Sequence, residues 1–160
     1  MPEIERKFLV ATLPDLSHLH SIEYERYFLY TSSVSEIRIQ RKGEIYELER
    51  KISQEAFTDE KYKVPLSKDE FEALKVLCAK GLSRTSYIIE NIPGASLKIY
   101  NMTYEGLIRA EMEFATKEEA ELFVPPEWFG KEITSTSLAK DKKLVHLSRE
   151  QFLAELKSLQ

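Results

Sequence analysis

Glu3-Ile4-Glu5-Arg6-Lys7-Phe8-Leu9-Val10 stands at the start of the chain. In an extended strand, successive side chains point to opposite faces. Glu3, Glu5 and Lys7 therefore share one face, and Ile4, Phe8 and Val10 share the other. Two carboxylates and an ammonium form a row. Carboxylates so placed can share a hard divalent cation, and a lysine beyond them can hold a phosphate that the cation also touches. The same row is equally the wet face of an amphipathic strand, so the remaining sequence has to decide.

Most of the chain beyond Val10 keeps the two-residue period. Ile37-Arg38-Ile39-Gln40-Arg41 and Tyr46-Glu47-Leu48-Glu49-Arg50-Lys51, with Gly43 between them, read as a hairpin. Residues 22–30, Lys61-Tyr62-Lys63-Val64, Arg84-Thr85-Ser86-Tyr87-Ile88, Ser96-Leu97-Lys98-Ile99-Tyr100 and Arg109-Ala110-Glu111-Met112-Glu113-Phe114 continue it. With residues 3–10 this makes about eight strands, the number at which a small barrel closes. Three helix starts interrupt them, Ser67 with Glu70, Thr116 with Glu119, and Ser148 with Gln151. The first helix is expected to carry Phe71, Leu74, Leu77 and Cys78 and to stop at Gly81. The second is expected to end at Pro125-Pro126, and the third to carry Phe152, Leu156 and Leu159.

Bulk properties narrow the classes. The chain has 160 residues, 42% hydrophobic and 31% charged, with a net charge of −4. That length and composition fit one α+β domain over residues 1–160 with a real core, and argue against disorder or a nucleic-acid partner. No apolar run approaches the length of a membrane span, and the acidic N-terminus is unlike a signal peptide, so a cytoplasmic protein without a membrane partner is expected. The single Cys78 has no intrachain disulfide partner and reads as a buried structural thiol. His18, His20 and His146 lack a third ligand at metal spacing. Trp128 reads as a packing anchor, and Tyr24, Tyr27 and Tyr30 as strand-pairing residues rather than a base-stacking platform. Lys140, Lys142 and Lys143 read as a solvated turn, with one of them in reach of a tunnel mouth.

Each strand can then be given two faces. Ile37, Ile39, Tyr46, Leu48, Tyr62, Val64, Leu97, Ile99, Ala110, Met112 and Phe114 make the apolar one. Glu3, Glu5, Lys7, Arg38, Glu47, Glu49, Lys51, Lys61, Lys63, Arg84, Lys98, Arg109, Glu111 and Glu113 make the ionic one. A sheet with one wet face would look similar. The ionic face recurs on nearly every strand, however, and amphipathic helices are available to cover the apolar one, which suits a barrel interior holding water, ions and a ligand.

Glu3 to Lys7, Ile37-Arg38-Ile39, Leu48 to Lys51, Ala110-Glu111-Met112-Glu113 and Pro126-Glu127-Trp128-Phe129-Gly130-Lys131-Glu132-Ile133-Thr134 resemble, in this order, the CYTH or triphosphate tunnel metalloenzyme family. The resemblance spans about residues 3–144. It implies an eight-stranded antiparallel β-barrel with flanking helices, and hydrolysis of inorganic triphosphate or a related organic triphosphate with Mg²⁺ or Mn²⁺. By position, Glu3, Glu5, Glu111 and Glu113 match the metal-binding acids, and Lys7, Arg38, Lys51 and Arg84 the triphosphate-binding bases. Glu5 and Lys7 stand at the implied catalytic positions. Other polyanions are the alternative partners, and the resemblance leaves a homodimer open.

Several lumen positions differ from the family's usual pattern. Gln40 stands in place of a second arginine, Lys61 and Lys63 in place of a Glu-x-Glu, Ser86 in place of an arginine and Lys98 in place of an aspartate. Glu49 replaces a threonine, and Ser135-Thr136 the acid usual after Thr134. Acids that become lysines beside a new glutamate are expected to pair across strands. A metal-dependent triphosphatase is thus the first functional expectation. A non-catalytic polyanion-binding or structural tunnel is the alternative, and an adenylate cyclase, for which no purine pocket is evident, the third.

Overall fold

The structure, a computed structural model, describes residues 2–55 and 58–160. Its elements are β1 Pro2–Val10, β2 Ser21–Thr31, β3 Ser35–Lys42, β4 Ile45–Glu55, β5 Thr58–Leu66, α1 Lys68–Lys75, β6 Lys80–Ile88, β7 Ala95–Tyr100, β8 Ile108–Phe114, α2 Lys117–Leu122, β9 Phe129–Glu132, α3 Asp141–Leu144 and α4 Arg149–Leu159. The first eight strands pair in the order β5-β4-β3-β2-β6-β7-β8-β1, and β1 returns to β5 to close an antiparallel barrel. The unexpected β9 adds to β1 at Phe8↔Glu132 and Val10↔Phe129.

The alternation explains the closure. Ile39 and Leu97 are fully buried on the outer wall, and Phe8, Ala110 and Phe129 pack there with Phe123 and Trp128. Trp128 meets Phe129 with ring centroids 4.6 Å apart, the packing role its sequence position suggested. Helix α1 lays Phe71 against Tyr27 and Tyr46, and so covers β2 to β4. The turn between β3 and β4 is made by Gly43 at φ +59°, a conformation that only glycine adopts without a steric cost. One end of the barrel is plugged: Leu9, Phe28, Leu82, Tyr100 and Leu107 meet Ile133, Leu138, Leu144 and Phe152 from the C-terminal segment in one apolar cluster.

Four local expectations need correction. Helix α1 ends at Lys75 with Val76 as its cap, because Gly81 is already in β6 and its Cα lies against the Tyr27 ring, where a Cβ would come within 2.4 Å of that ring. Leu77 is therefore exposed, and Cys78 is half-buried rather than a core thiol. Helix α2 ends at Leu122, before the prolines. The helices also leave part of the barrel wall bare: Tyr62 and Val64 on β5 are each 54% exposed. No helix among the described residues is long and apolar enough to cross a membrane.

Candidate active site

Inward-facing residues fill the barrel with alternating charge and divide it. A cavity of about 240 Å³ is lined by Glu3, Glu5, Glu111 and Glu113 on one side and Arg26, Arg84 and Lys98 on another, with Tyr24 and Gln40. A smaller pocket of about 20 Å³ takes in Lys7, Arg38, Lys51, Asp59, Arg109 and Asp141. All eight residues named from the resemblance therefore face the interior. They do not share one chamber, because only Arg84 of the four bases lines the larger cavity.

The acids of β1 meet a third acid from β5. Glu3 and Asp59 are cross-strand partners, and one carboxylate oxygen from each of Glu3, Glu5 and Asp59 lies within 4.8 Å of the other two. This is a hard, all-oxygen donor set that suits Mg²⁺ or Mn²⁺. Asp59 is 4% exposed, and its Oδ1 and the Oε2 of Glu3 are buried without a hydrogen bond. An ammonium already stands among the three: Lys51 Nζ is 3.0 Å from Glu3, 3.7 Å from Glu5 and 3.2 Å from Asp59. The contact with Glu3 Oε2 has ion-pair distance but not hydrogen-bond direction. Lys61 adds a hydrogen bond of 2.9 Å to the other Glu3 oxygen. Burial by itself would raise the Glu3 carboxyl, yet Lys51 and Lys61 hold it down to about 2. Glu113, exposed near the end of β8, is different: partial desolvation and then the neighbouring Glu3 and Glu5 push its carboxyl up.

Asp141 organises the arginines. Arg26 donates to it at 2.7 Å, Arg109 at 3.3 Å and Tyr100 at 2.5 Å, and Arg84 Nε lies 3.6 Å away. Burial opposes its charge, but Arg109, Arg84 and Arg26 keep the carboxyl well below the usual range. Arg109 also donates to Glu111. Arg84 is left with Nε and Nη1 buried and without a hydrogen bond, its guanidinium 4.7 Å from the centre of the Tyr24 ring. Arg84 lines the cavity with Arg26 and Lys98, and together these cations make a basic wall suited to an anion. Lys98 donates to Ser86 at 2.6 Å. Burial chiefly, opposed by Glu111 and then reinforced by Arg84, Arg26 and Arg109, brings its ammonium down to about 7.

The departures from the family pattern pair with one another, as their charges suggested. Glu49 stands opposite Arg38 on β3 and Lys63 on β5, accepts from Arg38 and Gln40, and has Lys63 at 3.4 Å. Gln40 donates to Glu47 as well. Lys98 and Ser86 are cross-strand partners. Lys7 is fixed by Glu5 at 2.9 Å and by the Ala139 carbonyl at 2.8 Å. Lys140 lies 3.7 Å from Asp59 and Lys142 3.4 Å from Ser53, so these lysines border the small pocket rather than a solvated turn.

A closed antiparallel barrel with a basic wall facing a carboxylate cluster defines a triphosphate tunnel protein. The chain is 32% identical over 148 residues to the inorganic triphosphatase of Nitrosomonas europaea, an alignment covering 90% of this chain and 97% of that protein. It therefore belongs to the CYTH or triphosphate tunnel family. The crystal structure of the inorganic triphosphatase NE1496 superposes with a TM-score of 0.67 at 31% identity, over 89% of this chain and 93% of the other. The PH1012 protein of Pyrococcus horikoshii shares the fold alone, at TM-score 0.56 and 14% identity over 74% and 83% of the two chains. No family model matches the sequence.

Sequence reading passed over Arg26, Asp59 and Asp141. Arg26 shares one face of β2 with Tyr24 and Phe28, and Asp59 lies two residues before Lys61, so extending the period would have found both. Asp141 sits in a lysine-rich run with no periodic signal.

Proposed function

We propose that the protein hydrolyses inorganic triphosphate, or a related organic triphosphate, with Mg²⁺ or Mn²⁺. The observation that carries this reading is the cavity itself, lined by Arg26, Arg84 and Lys98 together with the carboxylates of Glu3, Glu5, Glu111 and Glu113. The activity of the relative from Nitrosomonas europaea, named an inorganic triphosphatase, supports the choice of substrate. Glu3, Glu5 and Asp59 would hold the cation, with Glu111 and Glu113 lining the larger cavity beside Glu3 and Glu5. A divalent ion there would withdraw charge from phosphate oxygens and lower the barrier to attack by water. Arg84, Arg26 and Lys98 bind and orient the chain of phosphates and neutralise charge that develops on the leaving phosphate. Arg38, paired with Glu49 and Glu36, holds the partition behind them.

Phosphate release from tripolyphosphate, ATP and thiamine triphosphate, each with Mg²⁺, with Mn²⁺ and with a chelator, tests the proposal. Turnover of tripolyphosphate that needs the metal is the expected result. The self-paired Glu47, Glu49, Lys63 and Gln40 network favours a second reading, a polyanion-binding tunnel without turnover. Tripolyphosphate that raises the melting temperature but releases no phosphate under any metal condition would select it.

A further inference from the structure

The three carboxylates that could take a divalent cation are the same three that surround Lys51. Burial disfavours the ammonium, yet Glu5 and Glu3 keep it more firmly charged than a free lysine. A divalent ion entering this cage meets a cation already in place, and two cations at one set of oxygens repel strongly in a partly dry interior. The lysine must move for the ion to bind, and a buried ammonium needs a new partner.

That partner is next to it. Glu36 stands directly opposite Lys51 across β3 and β4, and both side chains point inward. Cross-strand side chains sit within easy reach of a lysine's four-carbon stem. Glu36 is 5% exposed, and while its Oε1 accepts from Arg38 at 3.2 Å, its Oε2 is buried with no hydrogen bond. We infer that Lys51 has two seats: the Glu3, Glu5 and Asp59 cage, which its ammonium fills in the absence of a divalent cation, and Glu36, which receives the ammonium when the cation displaces it. Lys51 thus sets the affinity of the cage for metal. The inference rests on reading the lumen as a metal-assisted site, but not on turnover.

Mn²⁺ binding measured by calorimetry, without any triphosphate, tests it on four proteins: the parent, Lys51→Met, Glu36→Gln and the double variant. Removing the internal competitor should tighten Mn²⁺ binding by roughly tenfold, the scale of one displaced ion pair. Removing the second seat should weaken binding in the parent by several-fold, and should have no effect once Lys51 is gone. Long-range electrostatics alone would instead make Glu36→Gln weaken binding equally in both backgrounds, and that additivity would overturn the inference. Mn²⁺ affinity that is unchanged or lower in Lys51→Met would overturn it too, as would absence of binding in both. If Lys51→Met does not fold, Glu36→Gln decides: weaker binding than the parent supports the second seat, and equal or tighter binding removes it. A parent that releases no phosphate from tripolyphosphate while the Mn²⁺ order holds would reject the proposed reaction and leave the two seats standing.

Discussion

Lys98 illustrates how much a single buried charge costs in this barrel. Its ammonium sits beside Arg84, Arg26 and Arg109, with Ser86 as its hydrogen-bond acceptor, and its pKa is brought down to about 7 from 10.5. Between those values the unfolded chain binds more protons than the folded one, so the contribution of Lys98 to stability rises with pH from about 7 to about 10.5 and is most unfavourable below 7. Lys98→Met removes the group from that balance. The variant should gain most over the parent in melting temperature near pH 6.5, and the gain should shrink toward pH 10. An equal difference at both ends would show that Lys98 keeps its ordinary pKa. Glu3 acts at the other end of the scale. With its carboxyl held to about 2 against an ordinary 4.5, its ion pairs stabilise the fold above about pH 4.5 and lose that effect as pH falls through 2.

At the scale of elements, the short helix α3 matters less for its length than for its delivery of Asp141 into the barrel. Asp141→Asn keeps the shape and its hydrogen bonds in part, but leaves Arg26, Arg84 and Arg109 without their shared counter-charge. Breaking a buried charge network in this way costs about 3–5 kcal/mol. Chemical denaturation should show a loss of that order, and tripolyphosphate should restore more stability to the variant than it adds to the parent, since the anion then supplies the missing charge. A loss below about 1 kcal/mol would mean that solvent already screens the hub. The eight barrel strands were legible because each has one wet and one apolar face, as in Arg38 against Ile39 or Glu111 against Met112. Asp141 was not, because a short helix among Lys140, Lys142 and Lys143 carries no period, and its role depends on the plug that Leu138 and Leu144 form. Helix α1 was read too long for a similar reason: Leu74 and Leu77 keep helical spacing, but the close approach of Gly81 to Tyr27 pulls the chain into β6.

For the molecule as a whole, the ladders that make the barrel differ in extent. Strands β1 and β8 are in register from Ile4↔Phe114 to Leu9↔Arg109, whereas β1 meets β5 at Pro2↔Glu60, Glu3↔Asp59 and Ile4↔Thr58. Short ladders near a terminus open at lower free energy than the global unfolding of a protein. Two of the three cage carboxylates, Glu3 and Asp59, face each other across this seam, so each opening event separates the ligand set. A cation that grips both acids becomes a reversible cross-link between the first strand and the fifth, and it favours the zipped state by mass action. Amide hydrogen exchange should therefore slow at residues 3, 4 and 58–60 when Mg²⁺ is added, with β6 and β7 changing little. Equal protection with and without Mg²⁺ at those amides would dissociate the cage from the seam. Occupancy of the site would then be readable as the breathing rate of a barrel joint, without any chemistry taking place.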